Sequence, residues 1–173
     1  MVTIRPEHPD DVDAVAALHV RAWQAGYAGI LPAAVLDALS APAWAERRRE
    51  RRAGGTVHTL VATDGPVAGF VTLGPYREKP EPGVGEIYAI YLEPERVGTG
   101  VGRALMTAAL DELRARGFRT VRLWVLEANH RARRFYERAG FAPDGSRAVY
   151  EAALLGGGDR LALDAIRYAR ALG

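Results

Sequence analysis

The sequence predicts one α/β domain: a central mixed (α+β) sheet of about seven strands flanked by helices. Three observations predict it. The chain has 173 residues and is 49% hydrophobic, enough to bury one core without disulfides or metals. Apolar residues recur with period 2 in some segments and near period 3.6 in others, and the two kinds are interspersed from end to end. No internal repeat or low-complexity linker divides the chain, so residues 1–173 read as a single domain.

The elements follow in order. Val2 to Arg5 reads as a first strand. Asp10 or Asp11 caps a helix on which Val12, Val15, Ala16, Leu18 and His19 recur at helical spacing, ending near Gln24 or Gly26. Pro32 opens a second helix with Val35, Leu36 and Leu39 on its apolar face. Pro42 breaks it, and a third helix from Ala43 to Ala53 stops at Gly54-Gly55. Val57–Thr63 and Val67–Leu73 are strands joined by the hairpin signal Asp64-Gly65-Pro66. Pro75 to Gly85 is a surface loop, and Gly85–Leu92 is the most strand-like run of the chain. A glycine-rich turn from Gly98 leads into a helix ending at Gly117, with Leu105, Ala108, Ala109, Leu110 and Leu113 inward. Thr120–Leu126 is another strand. Asn129 caps a short helix through Ala139, closed by Gly140. Ser146–Leu154 and Arg160–Leu172 read as two strands around Gly156-Gly157-Gly158-Asp159. A triple-glycine turn leaves the register of that hairpin open.

Composition narrows the function. With no Cys, the chain has no thiolate nucleophile, thiolate ligand or disulfide. The four histidines, His8, His19, His58 and His130, show no metal-ligand spacing, so no metal is expected. The N-terminus shows no apolar leader, and no apolar run approaches the ~18 residues of a membrane span. A cytoplasmic protein without a membrane partner is the expectation. The net charge of +2 does not argue for nucleic acid. The basic run Glu46 to Arg52 reads as a solvated helix face, with attraction of an acidic partner as the alternative. It holds no aromatic residue for stacking on bases.

The segment Val97-Gly98-Thr99-Gly100-Val101-Gly102-Arg103 joins a strand to a helix. Alternate glycines let the backbone approach a ligand, and the free amides of the helix start favour an anion such as a pyrophosphate. The dinucleotide pattern G-x-G-x-x-G fails at Arg103, and the P-loop fails because no Lys-Ser or Lys-Thr follows. The alternative is a plain tight turn.

The segment L-E-P-E-R-V-G-T-G-V-G-R-A-L-M resembles the acyl-coenzyme A motif [QR]-x-x-G-x-[GA] of the GNAT superfamily of N-acetyltransferases. Gly100 and Gly102 match it, Gly98 and Arg103 accompany it, and Val97 departs from it at the Gln/Arg position. A later segment, N-H-R-A-R-R-F-Y-E-R-A-G-F, resembles the family's N-x-x-A-x-x-x-Y-x-x-x-G-F at Asn129, Ala132, Tyr136, Gly140 and Phe141. Helical spacing puts Asn129, Ala132, Arg133 and Tyr136 on one face. R-A-W-Q-A-G-Y-A-G-I-L-P, near the start, is similar to one branch of small bacterial members. The resemblance implies acetyl-CoA as co-substrate, bound by Ile90, Leu92, Val97, Gly98, Gly100, Gly102, Arg103, Asn129 and Ala132. Backbone amides near Leu92 would then stabilise the oxyanion, where the strand splays from its neighbour.

Attack of an amine on a thioester needs a neutral amine, a stabilised oxyanion and a proton for the leaving thiolate. Tyr136 is the candidate general acid. Glu86 is the candidate base, 11 residues before Val97, on a strand whose alternation places Glu86, Tyr88, Ile90 and Leu92 on one face. Pairing of Glu86 with an arginine, and deprotonation through ordered water, stand as alternatives. Trp23 and Tyr27, four apart, share a helix face and with Tyr88 form a candidate acceptor pocket. The expected activity is acetyl-CoA-dependent transfer to a primary amine, on a small molecule or a protein. The alternative is a non-catalytic acyl-CoA sensor on the same fold. The acceptor, the choice of acyl group and the assembly, a homodimer included, stay open.

Overall fold

The structure is a computed structural model that describes residues 1–153 and 160–173. The predicted turn at residues 156–159, and the strand end at Leu154, lie outside the described residues. Seven strands form one sheet: β1 (Thr3–Pro6), β2 (His58–Thr63), β3 (Val67–Pro75), β4 (Val84–Leu92), β5 (Thr120–Leu126), β6 (Ala142–Ala153) and β7 (Arg160–Ala171). Their order is β1-β2-β3-β4-β5-β7-β6. Every neighbouring pair is antiparallel except β4 and β5. The helices are α1 (Val12–Gly26), α2 (Ala33–Asp37), α3 (Ala41–Gly54), α4 (Val101–Ala115) and α5 (His130–Arg138).

Apolar spacing sets the two layers. On one face of the sheet, Leu105, Ala109 and Leu113 of α4 are fully buried with Val71, Val121, Leu123 and Tyr168. Ala132, Phe135 and Tyr136 of α5 pack against the same core. On the other face, Val15, Leu18 and Ala22 of α1 bury Val61 and Phe70. Further out, Val12 and Ala16 meet Ala45 of α3.

Three local readings are corrected. Pro42 does not precede the third helix but sits in its first turn, where its missing N–H costs nothing, and Ser40 caps that turn. β6 begins at Ala142, four residues before the predicted Ser146, because a register shift between Pro143 and Arg147 absorbs Gly145 at φ 90°. The basic run on α3 is not a wholly solvated face. Arg48 is buried, and it donates to the buried Glu7 carboxylate at 3.0 Å while Arg52 donates at 2.7 Å. Arg49 pairs with Asp13.

The site is set by how β4 and β5 meet. They pair in parallel only at Val84–Glu86 against Thr120–Arg122. Beyond Glu86, β4 stays with β3 as far as Leu92, and β5 stays with β7 as far as Leu126. A wedge opens between them.

Candidate active site

The wedge exposes backbone. The Glu93 amide donates to the Ala68 carbonyl at 2.9 Å, which fixes the phase of the β3–β4 ladder. The amides of Tyr91 and Ala89 therefore face β3, and those of Leu92 and Ile90 face the wedge. Donors with no neighbouring strand are available to an oxygen placed there.

Downstream, Gly100 caps α4 in a left-handed conformation, φ 95°, and Gly98 lies at φ 79°. Both need glycine for that backbone, and a Cβ on either would meet nothing within 4 Å. The Ala104 amide makes the helix's return bond to Gly100, so the amides of Val101, Gly102 and Arg103 lack intrahelical partners. Gly102 is tight for another reason: a Cβ there would sit 3.3 Å from the Phe135 ring and 3.4 Å from Leu92. This cradle of free amides fits a pyrophosphate.

Across the wedge, the Asn129 side chain accepts from the Ala132 amide at 3.2 Å and starts α5. Ala132, Phe135 and Tyr136 follow along the cleft, whereas Arg133 turns toward the sheet and donates to the Tyr168 hydroxyl at 3.1 Å. Burial pushes the Tyr136 phenol up. Tyr136 stays protonated throughout the neutral range.

At the far end, Trp23 and Tyr27 meet edge to face with centroids 4.9 Å apart. The Tyr27 and Tyr91 hydroxyls are 3.0 Å apart, and the Asn129 side chain lies beside Tyr27. Burial raises both phenols, Tyr91 well above its ordinary value. Tyr88 is pushed up to about 12, first by burial and then by the Glu86 charge.

One cleft of about 1240 Å³ is lined by Trp23, Tyr27, Tyr88, Ile90, Leu92, Val97, Gly98, Gly100, Gly102, Arg103, Asn129, Ala132 and Tyr136. Glu86 is not among its lining residues. It is 2% exposed, takes the Arg77 amide at 3.0 Å and is bound by the Arg77 guanidinium at 2.7 Å. The predicted shared face of Glu86, Tyr88, Ile90 and Leu92 is corrected by a register shift. Thr72 faces Ala89 and Leu73 faces Ile87, which leaves Tyr88 as an extra residue on β4. Ile87, Ile90 and Leu92 pack toward α4, while Glu86 and Tyr88 both meet Arg77. The same shift sends Tyr91 toward α1, to the end of the cleft that holds Trp23 and Tyr27, where alternation counted from Glu86 did not place it. Phe135, Trp124 and Tyr150 also line the cleft unforeseen. Phe135 stands one residue before Tyr136, and that adjacency was its only sequence signal.

The Acetyltransferase (GNAT) family model matches residues 15–141, which hold both glycine loop and α5. The chain is 37% identical over 131 residues to the uncharacterized N-acetyltransferase YuaI of Bacillus subtilis (strain 168), covering 75% of this chain and 74% of that protein. It is 43% identical over 91 residues to the mycothiol acetyltransferase of Beutenbergia cavernae, covering 53% of this chain but 30% of that one. Among solved structures, PaiA N-acetyltransferase from Thermoplasma acidophilum, in complex with coenzyme A, shares the fold. Its TM-score is 0.76 at 19% identity, with 99% of each chain covered. With the splayed sheet, the glycine cradle and the matched span together, the chain belongs to the GNAT acetyltransferase family.

Proposed function

We propose that this acetyltransferase moves the acetyl group of acetyl-CoA to a primary amine by direct attack on the thioester. The observation that carries the proposal is the wedge: the Ile90 and Leu92 amides on one side, Tyr136 on the other, and the glycine cradle beyond. In the proposed pose the amides of Val101, Gly102 and Arg103 hold the pyrophosphate, and Asn129 and Ala132 flank the pantetheine arm. The amine nitrogen attacks the carbonyl carbon, and the wedge amides take the negative charge that forms on its oxygen. The carbonyl then re-forms as the carbon–sulfur bond breaks and the Tyr136 hydroxyl donates to the departing sulfur. The nitrogen's proton leaves through water at the Tyr27–Tyr91 pair, and a proton from solvent restores Tyr136. Glu86 serves in this scheme as the partner of Arg77 that fixes the start of the wedge. The experiment is thiol release from acetyl-CoA over a panel of amines. Turnover with one class of amine supports the reading. Tight acetyl-CoA binding without acetylation of any amine favours a sensor instead.

A further inference from the structure

We infer that the acceptor end of the cleft takes a primary amine on an aromatic or branched apolar body with no second positive charge, an inference that rests on the amine-acetyltransferase reading above. The acceptor wall is made of rings. Trp23 and Tyr27 stand edge to face, Tyr91 lies against Trp23 with centroids 6.4 Å apart, and Tyr88, Trp124 and Tyr150 extend the lining. Leu126 and Leu163 add aliphatic surface. Among the described lining residues there is no Asp or Glu.

Three carboxylates on the neighbouring strands and loops are engaged elsewhere. Arg77 holds Glu86, Arg167 holds Asp144 at 2.6 Å, and Arg147 holds Glu127 at 2.6 Å. Two of the rings also carry an internal cation. The Arg77 guanidinium carbon lies 4.0 Å from the Tyr88 centroid, and that of Arg167 lies 5.8 Å from the Trp124 centroid. A ring that already faces a guanidinium attracts a further ammonium poorly, because the two cations repel across it.

Four neutral polar groups gather at one point: the Tyr27 and Tyr91 hydroxyls, the Asn129 amide, and Trp23 Nε1, which is buried without a hydrogen-bond partner. The Tyr88 hydroxyl, also on the lining, donates to the Pro75 carbonyl. One polar point backed by ring surface matches an amine head on an apolar body. The distal ammonium of a diamine or polyamine would shed its hydration against rings with no counter-charge.

The test is kcat/KM by thiol release for 2-phenylethylamine, 3-methylbutylamine, 1,4-diaminobutane and spermidine. The expected result favours the two monoamines by at least ~10-fold, the scale on which apolar pockets discriminate. Tyr150→Glu places a carboxylate in the lining on an edge strand where Tyr150 is 49% exposed, so the fold tolerates the change. It should raise kcat/KM for 1,4-diaminobutane and lower it for 2-phenylethylamine. Polyamines acetylated as well as or better than the monoamines, or an unchanged ratio in Tyr150→Glu, would overturn the inference and leave the amine reading standing. Acetyl-CoA binding with no amine acetylated would overturn both.

Discussion

Arg77 grips Glu86 twice, through its backbone amide at 3.0 Å and through its guanidinium at 2.7 Å. The carboxylate is thereby fixed at the last position where β4 pairs with β5, just before the wedge opens. Both its oxygens are engaged, and it does not line the cleft. Glu86→Gln should therefore leave kcat within a few-fold of the parent and keep the shape of the pH–rate profile. It should lower stability by about 1 kcal/mol, discounted because Arg77 is half exposed. Denaturant unfolding and a pH series read the two effects separately. A large loss of kcat with disappearance of the acidic limb would return the base role to Glu86.

The glycine cradle predicts a binding effect. Acetyl-CoA at ~100-fold over its Kd should raise Tm by about 5–10 °C through mass action on the native state. Gly102→Glu brings a negative charge to amides that suit an anion, and its Cβ arrives 3.3 Å from Phe135. The Tm shift should vanish in this variant. A ligand-dependent shift equal to the parent's would remove the pyrophosphate from α4.

Tyr136→Phe separates an enzyme from a binding module. The ring keeps its edge-to-face neighbours Phe135, Phe141 and Tyr168, so packing changes little. Only the hydroxyl is lost. General acid assistance contributes ~10²–10⁴-fold, and kcat should fall by that order while acetyl-CoA affinity stays within a few-fold. Thiol release and calorimetry on one preparation measure both. Near-normal turnover would sink the general-acid role.

What the sequence made legible was local. The Gly98–Gly102 turn and the Asn129 cap are defined by residues within one helical turn of each other, and both appear where the spacing put them. The wedge face was not legible, because its phase is fixed by β3. The bulge at Tyr88 exists only in the pairing of Thr72 and Leu73 with Ala89 and Ile87, and one extra residue exchanges the faces of everything before it. Tyr91 was hidden by this. Arg48 was hidden by distance along the chain: its partner Glu7 is 41 residues away. A run of arginines carries no mark of which one is buried.

His19 predicts an acid-sensitive fold. It is enclosed by Trp44, Tyr91, Phe70 and Trp23, with ring centroids at 4.3, 4.8, 5.1 and 5.9 Å. Burial lowers its pKa to about 3, and the charges of Arg48 and Arg51 add to the shift. The unfolded chain, titrating near 6.5, then binds more protons than the fold between about pH 6.5 and pH 3. Stability from this site is complete above pH 6.5 and is lost as pH falls through that window. Asp11, lowered to about 2 by Arg5, contributes a loss of the same sign, but only below about pH 4. The interval from pH 6.5 to 4.5 excludes Asp11 but includes His58, whose pKa is also lowered by burial and by the charge of Arg116, so the share of His19 is read from the variant. Thermal melts across it should show a falling Tm in the parent and a flatter profile in His19→Phe, which keeps an aromatic ring among the same neighbours. The variant starts lower at pH 7 if the larger ring strains the cluster, so the comparison rests on slope. Equal slopes in parent and variant would show that His19 is not held neutral among Trp44, Tyr91, Phe70 and Trp23.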